Sequence, residues 1–70
     1  MLLEIFLIAP NHYLIGFPAG HIEERHSEGS VRAVLKAAAI ADTNYRIIDM
    51  EHDYAEISAA EFNLRCLNAY

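Results

Sequence analysis

The chain predicts a small α+β fold: one antiparallel sheet with helices packed on a single face. Three observations carry this. An apolar run opens the chain and folds back as a hairpin, an alanine-rich segment keeps the three-four spacing of a helix, and a second helix announces itself by its capping residues. The element order is strand, strand, strand, helix, strand, helix, within one domain spanning residues 1–70.

Residues 2–9, "LLEIFLIA", are almost continuously apolar, and their length with Ile and Phe predicts a buried strand. "PNH" at 10–12 is a turn signal, and "YLIGF" at 13–17 is the returning strand. "PAG" at 18–20 ends that strand, and "HIEERH" at 21–26 predicts a third, more polar one. A helix over 28–42 follows, capped by Ser27 or Ser30, with Glu28 near its positive end. Val31, Val34, Leu35, Ala38 and Ala41 form its buried stripe, Arg32, Lys36 and Asp42 fall off it, and Asn44 is the expected left-handed stop. "YRIIDMEHDY" at 45–54 alternates as a strand should, with Ile48, Met50, His52 and Tyr54 on one face and Asp49, Glu51 and Asp53 on the other. Ser58 and Glu61 form a capping box, Ile57 and Phe62 a hydrophobic staple, for a helix over 59–68 that offers Phe62, Cys66, Leu67 and Ala69 for packing.

Length and composition narrow the function. A chain of 70 residues buries only about 60% of its unfolded surface, so an apolar content of 54% without a disulfide framework favours burial at an oligomer interface, a homodimer above all. The single Cys66 points to a reducing, cytoplasmic setting. "MLLEIFLIA" is too short to span a membrane and Glu4 interrupts it, so no membrane association is expected. Ten Asp and Glu against five Lys and Arg give a net charge of −5, which repels nucleic acid, argues against a phosphate-binding role and favours a protein partner with a basic surface.

No catalytic constellation emerges. The stretch "GFPAGHIEERHSEGSVRAVLKAAAI" resembles the opening of a Nudix box, whose chemistry needs helical carboxylates to hold divalent cations. Counted from Gly20, its acidic and Arg-Glu positions hold His26, Val34, Leu35, Ala38 and Ala39, so the ligands are missing. Cys66 has no base placed beside it and reads as a small apolar residue. His12, His21, His26 and His52 match no closed metal-site spacing, although His21 and Glu23 share a strand face; a His/carboxylate metal-binding domain is the alternative this leaves open. The expectation is a non-enzymatic module without cofactor or metal.

Two surfaces offer binding. Asp49, Glu51 and Asp53, projecting at about 6.6 Å intervals from one strand face and extended by Glu56, form an acidic stripe suited to a basic protein surface, with Glu23 and Glu24 as a second group. The first strand, apolar on both faces, suits either a core or a symmetric dimer, and in the latter case the chain is a structural homo-oligomeric subunit.

Phe17, Pro18 and Gly20 form a Phe-Pro-x-Gly turn after the hairpin, and Ser27, Glu28 and Ala33 open the helix that follows. With the strand and helix order, these residues resemble the HicB-type antitoxin domain over residues 2–54, though the loop after Phe-Pro is shorter than is usual there. The resemblance implies an acidic protein that neutralises a basic RNA-cleaving toxin by occupying its surface. Size, charge and lack of catalytic residues are also similar to those of phage proteins that inhibit host enzymes or defence complexes, anti-CRISPR proteins among them.

Overall fold

Leu3, Ile5 and Leu7 are buried while Leu2, Glu4 and Phe6 between them are not, and that alternation decides where the core lies. The computed structural model describes residues 2–68, with side chains through residue 65. Its elements are β1 (Leu2–Ala9), β2 (His12–Gly16), β3 (Ile22–Arg25), α1 (Glu28–Ile40), β4 (Asn44–Asp49), β5 (Ala55–Ile57) and α2 (Ala59–Asn68). Leu3, Ile5 and Leu7 of β1 meet Tyr13 and Ile15 of β2, Ile47 of β4, Val31, Leu35 and Ala38 of α1, and Phe62 of α2 in one core. The fold is α+β, with the core between one sheet face and the helices.

The sheet is mixed, not antiparallel as the sequence suggests, and its order is β3-β2-β1-β4-β5. β1, β2 and β3 form antiparallel neighbours, with Ile5 opposite Ile15 and Ile15 opposite Glu23. β4 lies parallel to β1, with Ile5 opposite Ile47. The reason is the thirteen-residue α1, which carries the chain back along the sheet before β4 begins; parallel pairs require a crossover of about a dozen residues or more. β5 then pairs antiparallel with β4, Ile48 opposite Glu56.

Local chemistry sets the boundaries. Pro10 and Asn11 make the two-residue β1–β2 turn, and Asn11 takes φ 58, the Pro-Asn arrangement of a type II turn. Gly20 at φ 103 closes a turn in which its amide donates to the Phe17 carbonyl at 2.9 Å, a conformation that favours glycine. Ser27 is the α1 cap, its Oγ accepting from the Ser30 amide at 3.2 Å, and Ser58 does the same for Glu61 at 3.0 Å. The left-handed residue after α1 is Asp42, φ 55, and Asn44 instead opens β4. Cys66, Leu67 and Ala69, which the sequence offers for packing, lie outside the residues whose side chains are described.

The strand expected over 45–54 is broken. β4 ends at Asp49, residues 50–54 turn, and Asp53 and Tyr54 both take left-handed φ of 57 and 59. An Asx turn starts the reversal: the Glu51 amide donates to Asp49 Oδ1 at 3.1 Å. A short side-chain acceptor followed by polar residues competes with the ladder, so period-two alternation here marks a hairpin rather than one strand.

Candidate functional site

The helices cover one face of the sheet, and strand alternation sends the intervening side chains to the other. That open face carries Leu2, Glu4 and Phe6 of β1, His12 and Leu14 of β2, Ile22 and Glu24 of β3, Asn44, Arg46 and Ile48 of β4, and Glu56 of β5. The register aligns five of them into one row running across the strands: Glu24, Leu14, Phe6, Ile48 and Glu56. Four strand spacings separate its acidic ends, about 19 Å. Phe6, Leu14 and Ile48 are half-buried, and Ile22 beside the row is 71% exposed.

The rim is charged and its groups are tied down. Glu24 accepts from His12 Nε2 at 2.9 Å and His26 Nε2 at 3.1 Å, and the two imidazoles stack with centroids 5.4 Å apart. The hydrogen bond from His12, then that from His26, holds the Glu24 carboxyl below its usual range. Arg46 lies between Glu56, 3.5 Å away, and Glu4, 3.9 Å away. Three carboxylates therefore face one guanidinium on this side of the sheet, with the two imidazoles gathered on Glu24. An apolar centre inside a polar rim is the general anatomy of a protein interface.

The acidic stripe of the sequence reading is not formed. Asp49 is 1% exposed, a buried anchor rather than a contact residue. Its Oδ2 accepts from the Arg65 guanidinium of α2 and from His52 Nδ1 at 2.7 Å. Burial pushes its carboxyl up, but the bonds from Arg65, His52 and the Glu51 amide outweigh that and leave it below its ordinary value. Asp49 in turn raises Arg65, which also reaches Glu61 at 3.4 Å. The pair fastens α2 to the end of β4.

Glu51 and Asp53 are exposed, but on the turn between β4 and β5, so they share no strand face. Glu56 stands on the open face. Glu23 and Glu24, adjacent on β3, point to opposite faces. Glu23 lies on the helix side, accepting from Arg25 and from His21 Nε2 at 2.9 Å, and those bonds, Arg25 first, lower its carboxyl. Its neighbour His21 stacks on Phe17 with ring centroids 4.5 Å apart.

The four histidines separate into three places, with His12 and His26 at Glu24, His21 at Glu23 and His52 at Asp49. Among the described residues no group of three or more His, Cys, Asp or Glu is arranged to hold a metal ion. No described helix is long and apolar enough to cross a membrane. Of the acidic residues singled out from sequence, only Glu24 and Glu56 fall on a common surface. Glu4, Phe6, Leu14, Arg46 and Ile48, which complete that surface, are not individually marked by the sequence; the first strand, apolar on both faces, is the signal, but it needs the sheet register to become a patch. Comparison with family models, curated proteins and solved structures yields no match to this chain.

Proposed function

We propose that this chain is a non-enzymatic protein-binding module, an inhibitor of the antitoxin-like or phage anti-host (anti-CRISPR-like) kind, which docks its open sheet face on a basic surface of another protein. The observation that supports this is the transverse row, in which three apolar side chains lie between Glu24 and Glu56. A matching partner presents an apolar patch flanked by Lys or Arg about 19 Å apart. Occlusion of a nucleic-acid-binding surface meets the second requirement, because such surfaces cluster basic residues. The antitoxin-like form of the reading rests on the Phe17-Pro18-x-Gly20 turn and the strand-helix order alone.

Homodimerisation through the same face is a second reading, favoured by its uncovered apolar centre. Its charge opposes it at neutral pH: each copy brings Glu4, Glu24 and Glu56 against a single Arg46. Tagged wild-type chain and the Glu24→Lys/Glu56→Lys variant, both used to capture proteins from the native host at moderate salt, test the proposal. A basic protein retained by wild type and lost by a variant of unchanged circular dichroism is the expected result. Identical captures by the two chains would sink it, and sedimentation of the pure chain as a dimer at neutral pH would favour self-assembly.

A further inference from the structure

In a chain with twice as many acidic as basic residues, two of the five cations stand together without an acid. Arg25 pairs with Glu23, Arg46 with Glu4 and Glu56, and Arg65 with Asp49 and Glu61. Arg32 and Lys36 have no ion-pair partner among the described residues, and both line a cavity of about 450 Å³ between α1, α2 and β4. Leu35, Ala39 and Ala59 give it an apolar floor, and Tyr45 and Asn63 supply an aromatic wall and an amide. No carboxylate lines it. The volume lies in the range of small-molecule sites, about 300–1,000 Å³, and a mostly apolar lining with a few convergent polar groups is their usual composition.

Two like charges one helical turn apart repel each other, so the α1 surface is left with an uncompensated cost that an anion removes. The two cations differ in kind. The Arg32 guanidinium is a planar fork suited to two oxygens of one group, while the Lys36 ammonium is a point charge suited to a third. A phosphate monoester matches this set in charge and in oxygen number, and the Tyr45 ring with the apolar floor accepts a flat body behind it. We infer that the cavity between α1, α2 and β4 is a binding site for a phosphate monoester carried on an aromatic body, the chemistry shared by aryl phosphates and nucleoside monophosphates. The site is on the helix side of the molecule, so it is independent of the open sheet face.

Calorimetric titration of the full chain at low ionic strength tests this, with phenyl phosphate, adenosine monophosphate and inorganic phosphate as probes. Saturable binding of at least one of the two esters with a Kd below about 1 mM is expected, with inorganic phosphate weaker by about tenfold or more. Arg32→Gln/Lys36→Gln should weaken the ester by at least about tenfold, whereas Arg46→Gln, on the opposite face, should leave it unchanged. Both substituted residues are exposed, and unchanged circular dichroism verifies that the double variant folds. Whether phenyl phosphate or the nucleotide binds tighter identifies the body the cavity prefers. No saturable heat from either ester up to about 10 mM, equal binding by the double variant, or inorganic phosphate binding as tightly as the esters would overturn the assignment.

Discussion

The two faces of β1 lie on one strand and differ in almost every physical respect. On the helix side Leu3, Ile5 and Leu7 are buried, Ile5 completely, beneath α1 and α2. On the other side Leu2, Glu4 and Phe6 are screened only by neighbouring strands, and charges ring them. Both faces carry large apolar residues, so hydrophobicity does not separate them. What separates them is whether a second layer arrives, and among the described residues two helices supply it. The covered face holds the fold together, and the open face leaves apolar area that no helix among the described residues covers.

If that division is right, the largest effect of substitution lies beneath the helices. Ile5→Ala or Ile47→Ala should cost about 3 kcal/mol in urea unfolding, as buried Ile truncations do, a large share of a small domain's total stability. Phe6→Ala, on the same strand but facing outward, should cost much less while weakening partner capture. Equal losses at Ile5 and Phe6 would mean that the open face is also structural.

The buried pair gives the next largest effect. Arg65→Gln leaves Asp49 enclosed with fewer compensating bonds and should cost about 2 kcal/mol, less than a fully enclosed pair would lose because Arg65 itself is partly exposed. The pH dependence follows from the lowered Asp49 carboxyl. Its contribution is fully present above the unfolded carboxylate value and is lost as pH falls through the lower folded value. In Arg65→Gln burial is opposed less and the folded carboxyl lies closer to its unfolded value, so the acid-induced loss of stability should be smaller and should end at higher pH than in wild type. An unshifted acid limb would show that Asp49 does not depend on this partner.

Smaller effects probe the helices that make one face covered. Ser27→Ala and Ser58→Ala should each cost about 1 kcal/mol by removing an Oγ that accepts from a first-turn amide. A further small change should be a gain: Tyr54→Gly removes the side-chain penalty of a left-handed residue at an exposed turn and should add less than about 1 kcal/mol. On the open face, Glu24→Lys/Glu56→Lys should leave the thermal midpoint in place while abolishing capture. A shifted midpoint would place these carboxylates in the structure rather than in recognition.

The contrast between faces also explains what was readable from sequence. The two helices were legible because capping and three-four spacing are local signals, and Ser27 and Ser58 act within three residues of the amides they cap. The first hairpin was legible because Pro10 and Asn11 carry their own turn geometry. The break after Asp49 was missed because "DMEHDY" alternates like a strand while its first Asp bonds its own backbone two residues on. The acidic stripe failed with it. Glu24 and Glu56 were selected for charge alone, and nothing near either residue in the chain indicates that three apolar side chains lie between them.

By itself the amino-acid sequence determined the α+β class, the helix starts, the hairpin turn and the acidic balance, because each depends on residues a few positions apart or on composition. The tertiary structure alone decided that β4 runs parallel to β1, that Asp49 is buried against Arg65 sixteen residues later, and that Glu24, Phe6 and Glu56 share a row. These depend on strand register and on which sheet face the helices occupy, and both are settled by packing the whole chain around one core.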